Sequence, residues 1–215
     1  MDYNTRMFKF LKISGKVVFM SDLHDGHDRT FILEPRGFKS VKEHSDFIKE
    51  KWFELIDEET TVINLGDSHF GDPDGSKFRD FSTWPCKVQY YLWGNHTSGA
   101  KTCFFEVCQG REKYPTSFNN VDFVGRELSC SINGKQFELS HFPKRVWDKM
   151  NRGAFHLSGH SHGNDEGRNI GNEFGRCLDI GVENAIKYSG KFFFTFEEIV
   201  ELLGNKENLI LDHHG

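Results

Sequence analysis

Eleven histidines stand among the 215 residues, and most of them sit beside aspartate, asparagine or glycine in short clusters. Asp22-Leu23-His24, Gly66-Asp67, Gly94-Asn95-His96, His141 and Gly159-His160-Ser161-His162 follow one another along the chain. Carboxylates, imidazoles and a carboxamide without thiolate suit hard or borderline divalent ions. Asp22, His24, Asp67, Asn95, His141, His160 and His162 are too many ligands for one tetrahedral ion, so a two-metal site is expected. A lone histidine is more often packed or solvated than ligating, and His44, His69, His213 and His214 receive no role.

Ligands so far apart in sequence converge only if a rigid frame carries them, and each cluster directly follows a strand-like run. Lys16 to Met20 runs into Asp22-Leu23-His24, Thr61 to Leu65 into Gly66-Asp67, and Lys87 to Trp93 into Gly94-Asn95-His96. Glu127 to Ile132 and Gln136 to Ser140 flank Asn133-Gly134, a strong hairpin signal, and the second run ends in His141. Ala154 to Ser158 ends in Gly159-His160. Met7 to Ile13 alternates and turns at Ser14-Gly15, which predicts a hairpin or two adjacent strands with Lys16 to Met20. Leu178 to Val182 and Lys191 to Phe194 read as further strands. Ser40 with Glu43, ahead of Phe47, Ile48, Trp52, Leu55 and Ile56, predicts a capped helix of about four turns. Thr195 with Glu198 predicts a last helix through Leu203.

The five ordered motifs resemble those of the calcineurin-like metallophosphoesterase superfamily: D-x-H, G-D, G-N-H, a lone His and G-H-x-H. The resemblance spans about Val17 to Ile199 and is nearest to a small phage and bacterial subgroup, through His27, Phe38-Lys39-Ser40-Val41, Trp147, Arg152-Gly153, His156 and Phe196-Glu197-Glu198-Ile199. It implies one domain over residues 1–215, an α/β fold built as a four-layer αββα sandwich of two mixed sheets flanked by helices, and a metal site at the C-terminal ends of the strands. It further implies Asp22, His24 and His162 on one ion, Asn95, His141 and His160 on the other, and Asp67 bridging. Two divalent ions are expected, Mn²⁺ foremost, with Fe²⁺, Zn²⁺ or Ni²⁺ as alternatives. The implied activity is hydrolysis of a phosphate ester by a metal-bridging hydroxide, with Asp67 and His96 as catalytic residues and His96 turned to the substrate. Where the family pattern carries an acidic residue after this histidine, the chain has Thr97.

Two divalent ions, two carboxylates and a hydroxide leave a site charge of about +1, which matches a phosphodiester at −1. A phosphodiesterase is therefore the first expectation. A phosphatase acting on a nucleotide or phosphoprotein, a nuclease, and a non-catalytic metal-binding module are the alternatives. Formal net charge −5 gives no broad footprint for long nucleic acid. Phe142 to Arg152 carries four basic residues against one acid, so it reads either as a phosphate-facing rim, with Arg145 and Arg152 as substrate contacts, or as a solvated turn with Trp147 packed inward. His27 and His156 read as orienting a ligand or touching substrate. Five cysteines without a C-x-x-C pair point to reduced, buried thiols. Apolar runs of three or four residues are far short of the roughly 18 a membrane span needs, so a soluble, cytoplasmic protein is expected.

Overall fold

The computed structural model describes residues 10–108, 117–164 and 173–211. His213 and His214 lie outside them, as do residues 7–9 of the first expected strand. Among the described residues the chain is α/β, with two mixed sheets. The six-stranded sheet runs β11 (Phe194–Thr195), β2 (Val17–Met20), β3 (Thr61–Asn64), β4 (Val88–Leu92), β6 (Val121–Gly125) and β5 (Ser117–Phe118). The five-stranded sheet runs β1 (Leu11–Ile13), β7 (Glu127–Ile132), β8 (Lys135–Ser140), β9 (Phe155–Ser158) and β10 (Cys177–Asp179).

Pairing along β2, β3 and β4 is parallel, and so is pairing along β8, β9 and β10. Every motif-bearing strand in a sheet therefore ends on the same edge. Past those ends Ser21 bridges in parallel to Gly181, which joins the two edges.

The expected pairing of the first two strands is wrong. Leu11–Ile13 pairs parallel with Cys130–Ile132 in one sheet, while Val17–Met20 belongs to the other. The hairpin turn explains it: Asn133 Oδ1 accepts from Gly15 N and Asn133 Nδ2 donates to Gly15 O, each at 3.0 Å. That clasp keeps β1 on the five-stranded sheet, and Gly15, at φ +101°, turns the chain across to the other.

Alternation along the strands divides the core. Val17 and Phe19 face the layer between the sheets, with Ile63, Leu92, Phe137, Leu139, Phe155 and Leu178. The short α1 (Thr30–Leu33) leads into a 3₁₀ turn, Glu34–Arg36, ahead of the longer helices. Val18 and Met20 face outward, beneath α2 (Val41–Leu55), α3 (Ser76–Phe81) and α4 (Ser98–Cys108), through Trp52, Phe78, Phe81 and Cys103. In α2 the buried apolar positions are Ile48 and Trp52, continued by Ile56 just beyond the helix. Its box is displaced: Ser40 Oγ accepts from Glu43 N, but the Glu43 carboxylate accepts from Lys39 N. The expected strand Leu178 to Val182 stops at Asp179, because Val182 opens α5 (Val182–Ser189). Thr195 and Glu198 form a complete box at α6 (Phe196–Gly204). Of Lys191 to Phe194 only Phe194 pairs, with Phe19. All five cysteines are buried. Among the described residues no helix is long and apolar enough to cross a membrane.

Candidate metal centre

The loops that leave β2, β3 and β9 share an uncommon backbone. Asp22, His24, Asp67, His160 and His162 have φ of 57°, 47°, 55°, 69° and 50°, five of the eight non-glycine residues with positive φ among those described. A non-glycine residue held there costs about 1–3 kcal/mol and persists only where its surroundings over-determine it. Here they do. Asp22 N donates to Gly66 O, His24 N to Asp67 O and Asp25 N to Ser68 O, at 2.9–3.0 Å, and these bonds zip the first two loops together.

The two aspartates are locked alike. Asp22 Oδ2 accepts from His160 N at 2.9 Å, and Asp67 Oδ1 accepts from His96 N at 2.8 Å. Each carboxylate is thus pinned by a backbone N–H from another ligand loop, and its second oxygen faces the histidines. Asp22 Oδ1 lies 3.7 Å from His24 Nε2 and 4.0 Å from both His141 Nε2 and His162 Nε2. Asp67 Oδ2 lies 3.3 Å from His141 Nε2 and 3.9 Å from His24 Nε2. Glycine is required beside them, since a Cβ on Gly94 would stand 2.0 Å from Asp67 Oδ1 and one on Gly159 2.2 Å from Asp22 Oδ2.

Two groups have the spacing of ion ligands, Asp22 with His24 and His162, and Asp22 with Asp67 and His141. Donors about 2.1 Å from one ion are about 3.0–3.4 Å apart at octahedral to tetrahedral angles, so the observed 3.3–4.0 Å is at and slightly beyond that span. Asn95 adds to the second group, its Oδ1 2.9 Å from His141 Nε2 and 3.0 Å from His160 Nδ1. The donor chemistry fits a cation. His141 Nδ1 must donate to Leu65 O at 3.0 Å, which turns the Nε2 lone pair toward two further acceptors, Asp67 Oδ2 and Asn95 Oδ1. Three acceptors converge only around a proton or a metal ion. Asp22 Oδ1 and both ring nitrogens of His24 are also buried without a hydrogen-bond partner among the described residues, an expensive state for an acceptor that binds nothing.

The charges respond to this crowding. Burial pushes the Asp22 carboxyl up, but the His24 ring 3.7 Å away and the His141 and His162 charges outweigh it, and its pKa falls well below the carboxylate range. Burial pulls His141 down, yet Asp67 and Asp22 raise it on balance. His162 is likewise raised against burial by Glu183. His160 is lowered, by burial first and then by the His141 charge.

His96 stands outside both groups, exposed, its ring 5.5 Å from His24 and 5.6 Å from Phe70. Thr97 is buried with its hydroxyl toward Gly94 O. His27 Nδ1 accepts from Arg29 N at 3.2 Å, and its ring is 5.8 Å from His24 and 3.9 Å from Phe70. His156 serves the fold, because its Nε2 accepts from Lys144 N at 3.0 Å and its Nδ1 donates to Glu138 O at 2.8 Å. Trp147 packs inward and donates to Ala154 O at 2.9 Å, so the turn reading holds for that residue. Arg145 is exposed and stacks on Phe174 at 5.0 Å, and Lys144 pairs with Glu127 at 2.7 Å. Arg152 is exposed at the end of the 3₁₀ turn Met150–Arg152. His44 and His69 are buried.

Three residues that bear on the centre escape recognition from sequence. Arg36 is buried, and its guanidinium donates to Asp22 O, Leu23 O and Glu183 Oε1. Glu183 Oε1 accepts from His162 Nδ1 at 3.0 Å. The Asp179 carboxylate accepts from Gly181 N and Gly163 N, which fixes the loop after His162, and burial pushes its pKa up to about 6. Each has the look of a solvated charge in sequence, and none carries a motif.

No family model matches the chain, and no curated protein matches it. Among solved structures it is similar to a protein of unknown function from Aquifex aeolicus, with a TM-score of 0.60 at 18% identity, over 88% of this chain and 99% of that one. That likeness concerns the fold alone.

Proposed function

We propose that the chain is a binuclear metal-dependent phosphoesterase of the calcineurin-like kind, with phosphodiesters as its substrates. In this reading the two mixed sheets and their helices are an αββα sandwich, with the centre at the C-terminal strand ends. The observation that carries the reading is the convergence of ligand atoms: Asp22 Oδ1 and both nitrogens of the His24 ring have no hydrogen-bond partner among the described residues, and Asp67 Oδ2 and Asn95 Oδ1 both face His141 Nε2, whose other ring nitrogen is committed to Leu65 O. Asp22, His24 and His162 would hold one ion, Asn95, His141 and His160 the other, and Asp67, whose Oδ2 faces both His24 and His141, would serve both. Two divalent ions, Mn²⁺ foremost, supply Lewis acidity to phosphoryl oxygens and an acidified water when bound. His96, exposed beside His24, donates to a phosphoryl oxygen or to the departing alkoxide.

Charge supports a diester. Arg36 and Glu183 cancel each other beside the first group, so the site charge stays about +1. A monoester at −2 requires further positive charge, and of the basic rim residues Lys144 is paired with Glu127 and Arg145 lies over Phe174, which leaves only the exposed Arg152 to supply it. The test is hydrolysis of bis-nitrophenyl phosphate against nitrophenyl phosphate in Mn²⁺, with a chelator control. A higher kcat/KM for the diester is expected. A higher value for the monoester moves the assignment to a phosphatase, and no metal-dependent turnover of either refutes the phosphoesterase reading.

A further inference from the structure

The guanidinium of Arg36 lies in the 3₁₀ turn Glu34–Arg36, with none of its side chain exposed. Each of its nitrogens has an acceptor. Nε and Nη2 both reach Glu183 Oε1 at 2.8 Å, Nη2 also donates to Asp22 O at 2.8 Å, and Nη1 donates to Leu23 O at 2.7 Å and to His44 Nε2 at 3.1 Å. The carbonyls it holds belong to the left-handed turn that carries Asp22 and His24. On the far side of the pair, Glu183 Oε1 also accepts from His162 Nδ1 at 3.0 Å, so the proton sits on Nδ1 and the Nε2 lone pair is left for the site.

This path joins two sheets. Asp22 and His24 leave a strand of the six-stranded sheet, whereas His162 leaves the five-stranded one. We propose that Arg36 and Glu183 are positioning residues for the first ion group: Arg36 fixes the Asp22–His24 turn, Glu183 fixes the His162 ring, and their ion pair sets the distance between them. The inference rests on the metallophosphoesterase reading and adds to it a division between the two ions, since Asn95, His141 and His160 have no contact with the pair among the bonds described. A carboxylate behind a ligating histidine is a common way to fix its tautomer and raise its basicity, and loss of such a partner costs about 10–100-fold in metal affinity.

Glu183→Gln is the informative variant. The amide keeps an acceptor of the same shape but removes the charge, which leaves the Arg36 cation uncompensated beside the first ion group. Calorimetric titration of chelator-stripped protein with Mn²⁺ should show two binding events in the wild type. In Glu183→Gln one should weaken by about 10–100-fold and the other stay within about twofold, so the second site is an internal control for folding. Arg36→Lys, which cannot reproduce the fork, should weaken the same event. Equal weakening of both events, together with a collapsed far-UV circular dichroism spectrum, would mean that the pair only supports the fold. Two unchanged affinities in Glu183→Gln overturn the positioning role while the phosphoesterase reading stands. Wild-type protein that takes up no Mn²⁺ overturns both.

Discussion

Replacing Asp67 by asparagine should separate the ions from the fold. The side chain makes two distinct contacts, with Oδ1 accepting from His96 N at 2.8 Å and Oδ2 facing His141 Nε2 at 3.3 Å. Asparagine keeps the first through its carbonyl and, at a pH alkaline enough for His141 to be neutral, presents its NH₂ to the His141 lone pair, so the metal-free variant then satisfies an atom that the native carboxylate leaves among acceptors. Its melting temperature in chelator should therefore equal or exceed that of the wild type. With metal the order reverses. An ion at 100 times its dissociation constant stabilises the folded state by about 2.7 kcal/mol, which for a chain of this size is about 5–10 °C per site. Two sites should raise the wild-type melting temperature by about 10–20 °C in Mn²⁺. Asp67→Asn, having lost the carboxylate that faces both groups, should retain under a third of that shift. The assay is thermal unfolding with and without Mn²⁺, repeated with Zn²⁺ and Ni²⁺. A variant with the full wild-type shift would show that Asp67 is not shared by two ions, and a wild type unmoved by every metal would remove the metal centre altogether.

His44 gives a pH test away from the ligands. It is buried and its Nε2 accepts from Arg36, so burial first, and then the Arg36 charge, lower its pKa to about 4. The unfolded chain, with histidine near 6.5, binds more protons between these values, so stability is full above about 6.5 and is lost as pH falls toward 4, by roughly 3 kcal/mol from this residue. In chelator, urea unfolding of His44→Gln should have a flatter profile through that window; a slope equal to the wild type refutes the assignment. His96→Ala should keep the Mn²⁺ stoichiometry and lose activity. A loss that shrinks for nitrophenolate relative to an alkoxide marks a general acid, and an equal loss for both leaves phosphoryl binding as the role of His96.

What the sequence discloses about this centre follows from locality. Each proposed ligand motif lies one to four residues past a strand whose apolar or alternating run is legible by itself, and Asn133-Gly134 declares its own hairpin through φ of 47° and 81°. The Thr195–Glu198 box is local in the same way. Alternation misplaces Leu11–Ile13 because three residues of it name no partner, and the deciding contact comes from Asn133, 118 positions away from Gly15. Strand Val121–Gly125 and the helices Ser76–Phe81, Ser98–Cys108 and Val182–Ser189 are short and carry no comparable local signal. Arg36 and Glu183 are 147 residues apart and each has the sequence context of a surface charge. Only the burial of Arg36 and its bonds to Glu183 reveal their use.

Neither sheet holds all of the proposed ligands. The six-stranded sheet supplies Asp22, His24, Asp67 and Asn95, and the five-stranded sheet supplies His141, His160 and His162. The separation of donors within each group is therefore set by the layer between the sheets, where Phe19 stacks on Phe137 at 5.4 Å and Phe137 meets Phe155 edge to face at the same distance. Interiors packed at this density do not yield gradually. Five left-handed residues strain these loops, and backbone bonds from Asp22 N, His24 N and Asp25 N to the carbonyls of Gly66, Asp67 and Ser68 hold the first two together. They are also held by bonds that cross between the sheets, His160 N to Asp22 and Arg36 to Glu183, and by the bond from His96 N to Asp67 that joins two loops of the six-stranded sheet. Packing and ligand geometry are thus one cooperative unit. This accounts for Asp22 Oδ1 and the His24 nitrogens persisting beside each other without a hydrogen bond: the core between the sheets stabilises the arrangement, and the loops inherit it.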